Sequence, residues 1–261
     1  MQKKTVAEEG KGLARKENRA ALTEAESKKI LSGFGIPVVE EKIVATEGEV
    51  ADAALKTGFP AVVKGMGKRL THKSERGLVR VNLRSEEDVR LAFREIKEAA
   101  GVDWEACLIQ PQIEGRREFL AGMFRDPQFG PCVMFGLGGV LTEALNDTSL
   151  RIAPLGDDQA RAMIGEIRAA KLLGAFRGEQ AVDTDQLVRV LTGLSRLALE
   201  RPDIAEIDIN PLIVKADGTM CAVDALVVSG EGAERPGPSA DDILKIRKAL
   251  DTMAQAQSVA V

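Results

Sequence analysis

The feature that most constrains the fold is the rapid alternation of short apolar strands with helix-forming segments along most of the 261 residues. A capping signal, Thr23 followed three residues later by Glu26, opens a helix that the glycines and proline of GFGIP end. The strands AVVK and GLVRVNL precede an amphipathic helix at 85–99, and strands and turns then follow one another quickly between 107 and 154. Helix and sheet are mixed throughout, which predicts an α/β fold with α+β character.

Both ends of the chain differ from this pattern. Residues 1–20 are charged and lack periodicity, so we expect a loose N-terminal arm. Residues 230–239 (GEGAERPGPS) have linker composition, and 241–257 have the pattern of a last helix.

Composition excludes several classes of function. A net charge of −4 and only 3% aromatic residues argue against a nucleic-acid partner. No apolar run reaches the roughly 20 residues that span a bilayer, and no secretory signal begins the chain, so we expect a cytoplasmic protein without a membrane partner. Cys107, Cys132 and Cys221 each lie in an apolar run, which predicts buried thiols rather than a zinc site.

The segment EIDINP carries a candidate metal site. Glu206, Asp208 and Asn210 alternate along a predicted strand, so their side chains point to one face. Counting back across the following Asp-Gly turn places Asp224 opposite Asn210 or one position away. Carboxylate and amide oxygens suit Mg²⁺. A solvated strand face is the alternative, but Asp224 lies in the apolar run CAVDALVV, where an unpaired buried carboxylate is costly.

Two further residues could act on phosphate. Lys64 ends the strand AVVK, a position from which an ammonium reaches beyond the sheet edge, although surface lysines are common at strand ends. His72, the only histidine, lies in the basic, glycine-containing loop GMGKRLTHKSERG. Its imidazole could serve as acid, base or phosphoryl acceptor, or it could be an ordinary surface residue.

A glycine-rich turn, FGLGG, follows an apolar strand. Gly136, Gly138 and Gly139 could let backbone N–H groups approach an anion. The segment matches neither a P-loop nor a dinucleotide-binding fingerprint. Arg151 follows a polar turn and could clamp an anion, with a surface salt bridge as the alternative.

Taken in order, GFPAVVK, THKS, QPQIEGRREFLAGM, DPQFGPCVMFGLGG and EIDINPL resemble the ATP-grasp (beta) portion of the NDP-forming acyl-CoA synthetases, relatives of succinyl-CoA synthetase. The match runs from about Leu22 to Val228. It implies an ATP-grasp fold of two subdomains, which we place at 21–104, with a mobile His72 loop, and at 105–229, with the nucleotide and Mg²⁺ site. The arm (1–20) and a linker with a C-terminal helix (230–261) flank them.

The resemblance also implies roles for individual residues. Lys64 matches the lysine that contacts nucleotide phosphates, and Glu118 matches the acidic residue that reaches the ribose. His72 matches a phosphorylated histidine that shuttles the phosphoryl group between the CoA-side active site and ADP. The glycine turn implies only anion binding. Two sets complete the site: the hinge around the adenine is Gln110, Pro111, Gln112 and Ile113, and the Mg²⁺ ligands are Asp208, Asn210 and Asp224.

The implied activity is that of an ADP-forming acyl-CoA synthetase, in which acyl-CoA, ADP and phosphate are interconverted with carboxylate, ATP and CoA. The chain lacks the CoA-binding portion of the family, so the resemblance implies a separate alpha subunit, in an α2β2 heterotetramer. Two alternatives stay open. One is an ATP-grasp carboxylate–amine ligase that needs no histidine carrier, and the other is a catalytically silent nucleotide-sensing or scaffolding subunit.

Overall fold

The computed structural model describes residues 19–67, 70, 76–139 and 145–230. These residues form two antiparallel β-sheets with helices packed against them. The strands are β1 (Ala20–Ala21), β2 (Lys42–Val44), β3 (Ala61–Met66), β4 (Val79–Leu83), β5 (Ala106–Pro111), β6 (Arg117–Asp126), β7 (Gly130–Leu137), β8 (Thr148–Ile152), β9 (Ile204–Val214), β10 (Met220–Ala222) and β11 (Leu226–Ser229). The helices are α1 (Glu24–Gly33), α2 (Glu47–Thr57), α3 (Glu86–Ala100), α4 (Asp157–Glu166) and α5 (Thr184–Glu200), with 3₁₀ turns at Gly101–Asp103 and Arg168–Leu173.

The larger sheet has the strand order β1-β11-β9-β6-β7-β8, and β10 also pairs with β9. Its long central strands β6 and β9 pair over most of their length. Helix α5 buries the apolar stripe that includes Leu187, Leu191 and Leu194 in the main core beneath this sheet. The helical spacing of these leucines therefore fixes which side of the sheet the core occupies.

The smaller sheet has the order β2-β5-β3-β4 and a core of its own. Helices α2 and α3 contribute Val50, Val89, Phe93 and Ile96 to that core. Two separate cores, one per sheet, account for the two-part architecture.

The chain passes between the sheets at two places. Near the first, the segment around Val38 bridges β10 of the larger sheet, and β2 of the smaller sheet begins at Lys42. At the second, β5 ends in the smaller sheet at Pro111 and β6 begins in the larger sheet at Arg117. The smaller sheet and its helices are therefore an insertion, residues 42–111, within the larger unit.

This division differs from the predicted boundary between residues 104 and 105. Strand β5 pairs with β2 and β3, so it belongs to the smaller sheet. Residues 20–38 belong with the larger sheet, because β1 pairs with β11 and α1 packs against it. An apolar strand pattern does not specify which sheet the strand joins, and the partner strands decide this.

The predicted start of helix α1 is confirmed by the structure. Helix α1 begins with the capping box expected at Thr23 and Glu26, since each residue hydrogen-bonds the backbone of the other. The sequence pattern at about 157–173 predicts one continuous helix, but the structure is helical only to Glu166, beyond which Ile167 is extended and a 3₁₀ turn follows. Residues 68–69 and 71–75 of the His72 loop, most of the N-terminal arm and the tail from residue 231 lie outside the described residues. Among the helices of the described chain, none has the length and apolar character to cross a membrane.

Candidate functional site

Lys64 is buried where the two sheets meet, with 5% of its surface exposed. Its ammonium donates hydrogen bonds to Glu24 Oε1 (2.7 Å) and to the carbonyl oxygen of Val223 (2.8 Å). It also lies 4.0 Å from Asp224 Oδ1. Lys64 belongs to β3 of the smaller sheet, whereas Val223 and Asp224 lie between β10 and β11 of the larger one. The predicted phosphate-binding lysine and a predicted metal ligand thus lie close together across the interface between the two sheets, which we call the joint.

A second buried lysine, Lys28 of α1, extends this contact. Its ammonium donates to Glu24 Oε1 (2.8 Å), Glu41 Oε2 (2.6 Å) and Gln110 Oε1 (2.9 Å). Glu24 therefore accepts from both lysines with the same oxygen. We call the series Glu41–Lys28–Glu24–Lys64 the buried charge series, because it alternates in sign across the joint.

Burial and neighbouring charges together shift the pKa values of Lys64 and Glu41 in the buried charge series. Burial disfavours the charged form of Lys64 and by itself would lower its pKa. The negative charges of Glu24 and Asp224 outweigh that effect, so the pKa of Lys64 is raised. Burial raises the pKa of Glu41, against the lowering effect of Lys28. Lys64 therefore stays cationic at neutral pH, as a residue that binds phosphate must.

The predicted metal face is formed by β9 and the segment before β11. Ile207 and Ile209 are buried in the core, and Asp208 between them is exposed on the other face, as the alternation predicts. The pairs Ala222–Leu212 and Leu226–Asp208 keep one register, which places Asp224 across from Asn210. This agrees with the count made from the sequence.

The donor set fits a hard divalent cation. Although the Asp208 side chain is exposed, partial desolvation by the surrounding protein raises its pKa, and the nearby charges of Asp224 and Glu206 add to the effect. Such crowding of carboxylates is relieved when a cation binds between them. Within the described residues, no group of three or more His, Cys, Asp or Glu side chains is arranged to hold a metal. A site here would combine two carboxylates with the amide oxygen of Asn210.

The glycine turn lies against this metal face. Gly139 has a φ of +71° and donates its N–H to Asn210 Oδ1 (3.0 Å). A Cβ at Gly139 would lie 2.1 Å from Glu118 Oε2, and one at Gly138 would lie 2.4 Å from the carbonyl carbon and oxygen of Phe119. The glycines are therefore required for close packing of the turn on β6. Gly136 is equally crowded, with the carbonyl oxygen of Asp147 2.4 Å from a Cβ.

The four predicted hinge residues divide between two environments. The Gln110 side chain is buried in contact with Lys28, and Ile113 packs on the apolar residues at the joint. In contrast, the Gln112 side chain accepts from the N–H of Asn82, and Pro111 pairs with Ala61 within the smaller sheet. Only Gln110 and Ile113 therefore present side chains to the joint through the described contacts.

Two predicted residues lie away from the buried charge series. Glu118, near the start of β6, lies beside Gly139. Arg151 of β8 forms an ion pair with Glu166 of α4, which holds the pKa of that carboxyl below its usual value. This geometry corresponds to the salt-bridge alternative for Arg151. His72 lies outside the described residues, so its role stays a prediction.

Sequence reasoning missed Glu24, Lys28 and Glu41. Charged residues on a helix are usually assigned to its solvated face, yet the buried residues of α1 are Glu24, Ser27, Lys28 and Leu31. Their spacing of i, i+3, i+4 and i+7 was a usable signal, because it places the two charges on the same stripe as the leucine.

Comparison with known proteins assigns the class. Residues 13–228 match the ATP-grasp domain family. The chain is 41% identical over 220 residues to the beta subunit of acetate–CoA ligase [ADP-forming] I from Pyrococcus furiosus, covering 82% of this chain and 94% of that protein.

Solved structures of related enzymes support the same assignment. An acetyl-coenzyme A synthetase 1 of Ca. Korarchaeum cryptofilum, described as dinucleotide forming and in complex with coenzyme A, Ca-AMPCP and HgCl+, superposes with a TM-score of 0.77 at 41% identity, covering 80% of this chain and 93% of that one. The same enzyme with coenzyme A and Mg-AMPPCP, its phosphohistidine segment pointing towards the nucleotide binding site, gives 0.71 at 40% identity, with coverage of 85% and 96%.

The joint between two sheets, with its lysine and facing acidic strand, is thus that of an ATP-grasp protein. Within that class, the chain belongs to the family of beta subunits of ADP-forming acyl-CoA synthetases. Both the predicted fold and the predicted family are confirmed.

Replacing Gly138 by alanine tests whether close packing of the glycine turn against β6 stabilises the fold. The added Cβ meets the backbone of Phe119, which cannot rotate away, so we expect Gly138→Ala to lower the free energy of unfolding by about 1–3 kcal/mol. Gly165→Ala in α4 is the matched control, because nothing lies within 4 Å of its Cβ. Alanine should there be neutral or stabilising by up to about 1 kcal/mol. Urea denaturation measures both variants, and equal stabilities would contradict the packing argument.

Proposed function

We propose that this chain binds ATP or ADP at the joint between its two sheets and exchanges a phosphoryl group with His72. The observation that carries the proposal is the 4.0 Å approach of Lys64 to Asp224 from opposite sheets. A cation and a carboxylate at that spacing can contact the same polyphosphate, the lysine directly and the carboxylate through a metal.

Lys64 is the proposed phosphate ligand. An ammonium has three protons, and through contacts with the described residues Lys64 donates two hydrogen bonds, to Glu24 and Val223. The remaining proton can be donated to a phosphate oxygen without breaking either bond. Glu24 and Val223 thus fix the direction in which the ammonium acts.

Asp208, Asn210 and Asp224 are the proposed ligands of Mg²⁺. When bound, the metal neutralises charge on the phosphates during transfer. The protein's own contribution is orientation, because Gly139 N–H holds the Asn210 amide by its oxygen. The base is proposed to lie near Gln110, Pro111, Gln112 and Ile113, and the ribose to reach Glu118.

His72 is the proposed phosphoryl carrier. A nitrogen lone pair of neutral imidazole attacks the γ-phosphorus of ATP, the bond from that phosphorus to the β–γ bridging oxygen breaks, and ADP leaves. In the reverse transfer the P–N bond breaks and ADP takes the phosphoryl group to give ATP. Since the carrier must also reach the CoA-side site, its segment has to move between two positions. We propose that an alpha subunit supplies that second site, in an α2β2 assembly.

Lys64→Met should weaken ADP binding by about 10- to 100-fold, because a charge-assisted hydrogen bond to phosphate is lost. Lys56→Met, which alters an exposed lysine of α2, should leave binding unchanged. Isothermal titration calorimetry measures both, alongside thermal unfolding to account for the loss of the Glu24 contact. Unchanged affinity in Lys64→Met would exclude Lys64 as the phosphate ligand.

Asp224→Asn and Asp208→Asn should each raise the Mg²⁺ concentration for half-maximal phosphoryl transfer by about tenfold or more, because a carboxylate ligand loses its charge. Glu200→Gln on the exposed end of α5 is the control and should not move the midpoint. The rate of ATP-dependent protein phosphorylation is followed across a Mg²⁺ titration. Coincident midpoints for all three variants would place the metal elsewhere.

His72→Ala should abolish labelling by γ-³²P-ATP, measured with the alpha partner present, and should preserve ADP binding. Ser74→Ala, two residues away, should label like the parent chain. Retained ligase activity in His72→Ala would favour the carboxylate–amine ligase alternative. Binding of Mg-ADP by the parent chain without any labelling would favour a silent nucleotide-sensing subunit.

A further inference from the structure

The two ends of the His72 loop contact the same residue, Asp103. Near the start of the loop, a Cβ at Gly67 would lie 2.1 Å from the carbonyl oxygen of Asp103, so glycine is the residue that fits there without a shift of the backbone. Near the end of the loop, Arg76 Nη2 lies 3.8 Å from Asp103 Oδ2. The chain therefore enters and leaves the segment that carries His72 in contact with one residue.

Asp103 is itself held by the core of the smaller sheet. It ends the 3₁₀ turn between α3 and β5. After it, the Glu105 N–H donates to the carbonyl oxygen of Met66 at the end of β3 (3.0 Å). The Trp104 ring packs edge-on against Phe93 of α3, with 5.3 Å between the ring centroids. These contacts join the turn to both a strand and a helix, so Asp103 is a fixed point beside the loop.

Leu70 adds an anchor within the loop. Its side chain is 4% exposed and packs in the core of the smaller sheet. Its N–H also donates to the carbonyl oxygen of Gly67 (3.0 Å), the residue that packs on Asp103. Two residues of extended chain span at most about 7 Å, so an anchored Leu70 keeps the His72 Cα within that distance. The movement proposed for His72 therefore starts from a defined place.

We infer that Asp103 is a positioning residue for His72, because its carbonyl oxygen and its carboxylate set the two points from which the His72 segment departs. The inference rests on the proposed function, since it concerns how the phosphoryl carrier is delivered to the nucleotide. Phosphoryl transfer requires the imidazole nitrogen at a defined distance and angle from phosphorus, and a displacement of about 1 Å can cost 100-fold in rate. Neither Asp103 nor Arg76 is among the residues proposed to bind the nucleotide or Mg²⁺. Their ion pair should therefore affect the rate of transfer and not the affinity for nucleotide.

Exchange of the two charges tests the inference. Asp103→Arg and Arg76→Asp each place like charges together, so each should lower the maximal rate of labelling by about three- to tenfold. The double variant restores opposite charges and should recover the rate to within about twofold of the parent. Asp52→Arg, at an exposed position of α2, is the matched control and should label like the parent. Labelling is measured with saturating γ-³²P-ATP and the alpha partner present.

A second measurement separates positioning from general support of the fold. The dissociation constant of ADP, measured by calorimetry on the 261-residue chain, should stay within about twofold of the parent's in every variant. Unchanged labelling in both single variants, or a double variant no faster than the slower single one, would overturn the inference. A loss of ADP affinity parallel to the loss of rate would overturn it as well, because Asp103 would then support the whole site. A parent chain that binds Mg-ADP and is never labelled would instead refute the proposed function.

Discussion

The buried charge series that runs from Glu41 through Lys28 and Glu24 to Lys64 is the interaction on which the rest of the site depends. Buried ion pairs add little net stability, but removing one partner leaves an uncompensated charge and costs about 3–5 kcal/mol. The series therefore favours one relative placement of the sheets over others in which a charge would be left alone. Because one oxygen of Glu24 serves both lysines, the positions of the two ammonium groups depend on each other.

Neither sheet contains the site by itself. The larger sheet supplies an acidic face with an amide held by the glycine turn, and the smaller sheet supplies the lysine. Each part alone is a poor site, because the carboxylates repel one another and a buried lysine without counter-charge would lose its proton. Glu24 and Asp224 supply the negative charge that keeps Lys64 protonated, whereas the pKa of Asp208 stays raised beside Asp224 and Glu206. The proposed phosphate and Mg²⁺ site therefore needs residues from both sheets.

Features that depend on the alternation of residues along one strand could be predicted from the sequence. Features that depend on contacts between distant segments could not. Alternation in EIDINP was enough to place Asp208 on one face, and the turn count placed Asp224 across from Asn210. The position of Lys64 at a strand end was also apparent, but not its burial between two acidic groups. Glu24 and Lys28 look like surface residues until the sheet that covers them is known. The assignment of β5 to the smaller sheet likewise depends on pairing between distant segments.

The insertion of residues 42–111 into the larger unit has a mechanical consequence. Its first and last strands, β2 and β5, are neighbours, so both covalent connections leave the smaller sheet from one side. Two adjacent attachments act as a pair of pivots, and the motion they leave easiest is rotation about the line through them. Such a rotation would change the separation between Lys64 of the smaller sheet and Asp224 of the larger unit.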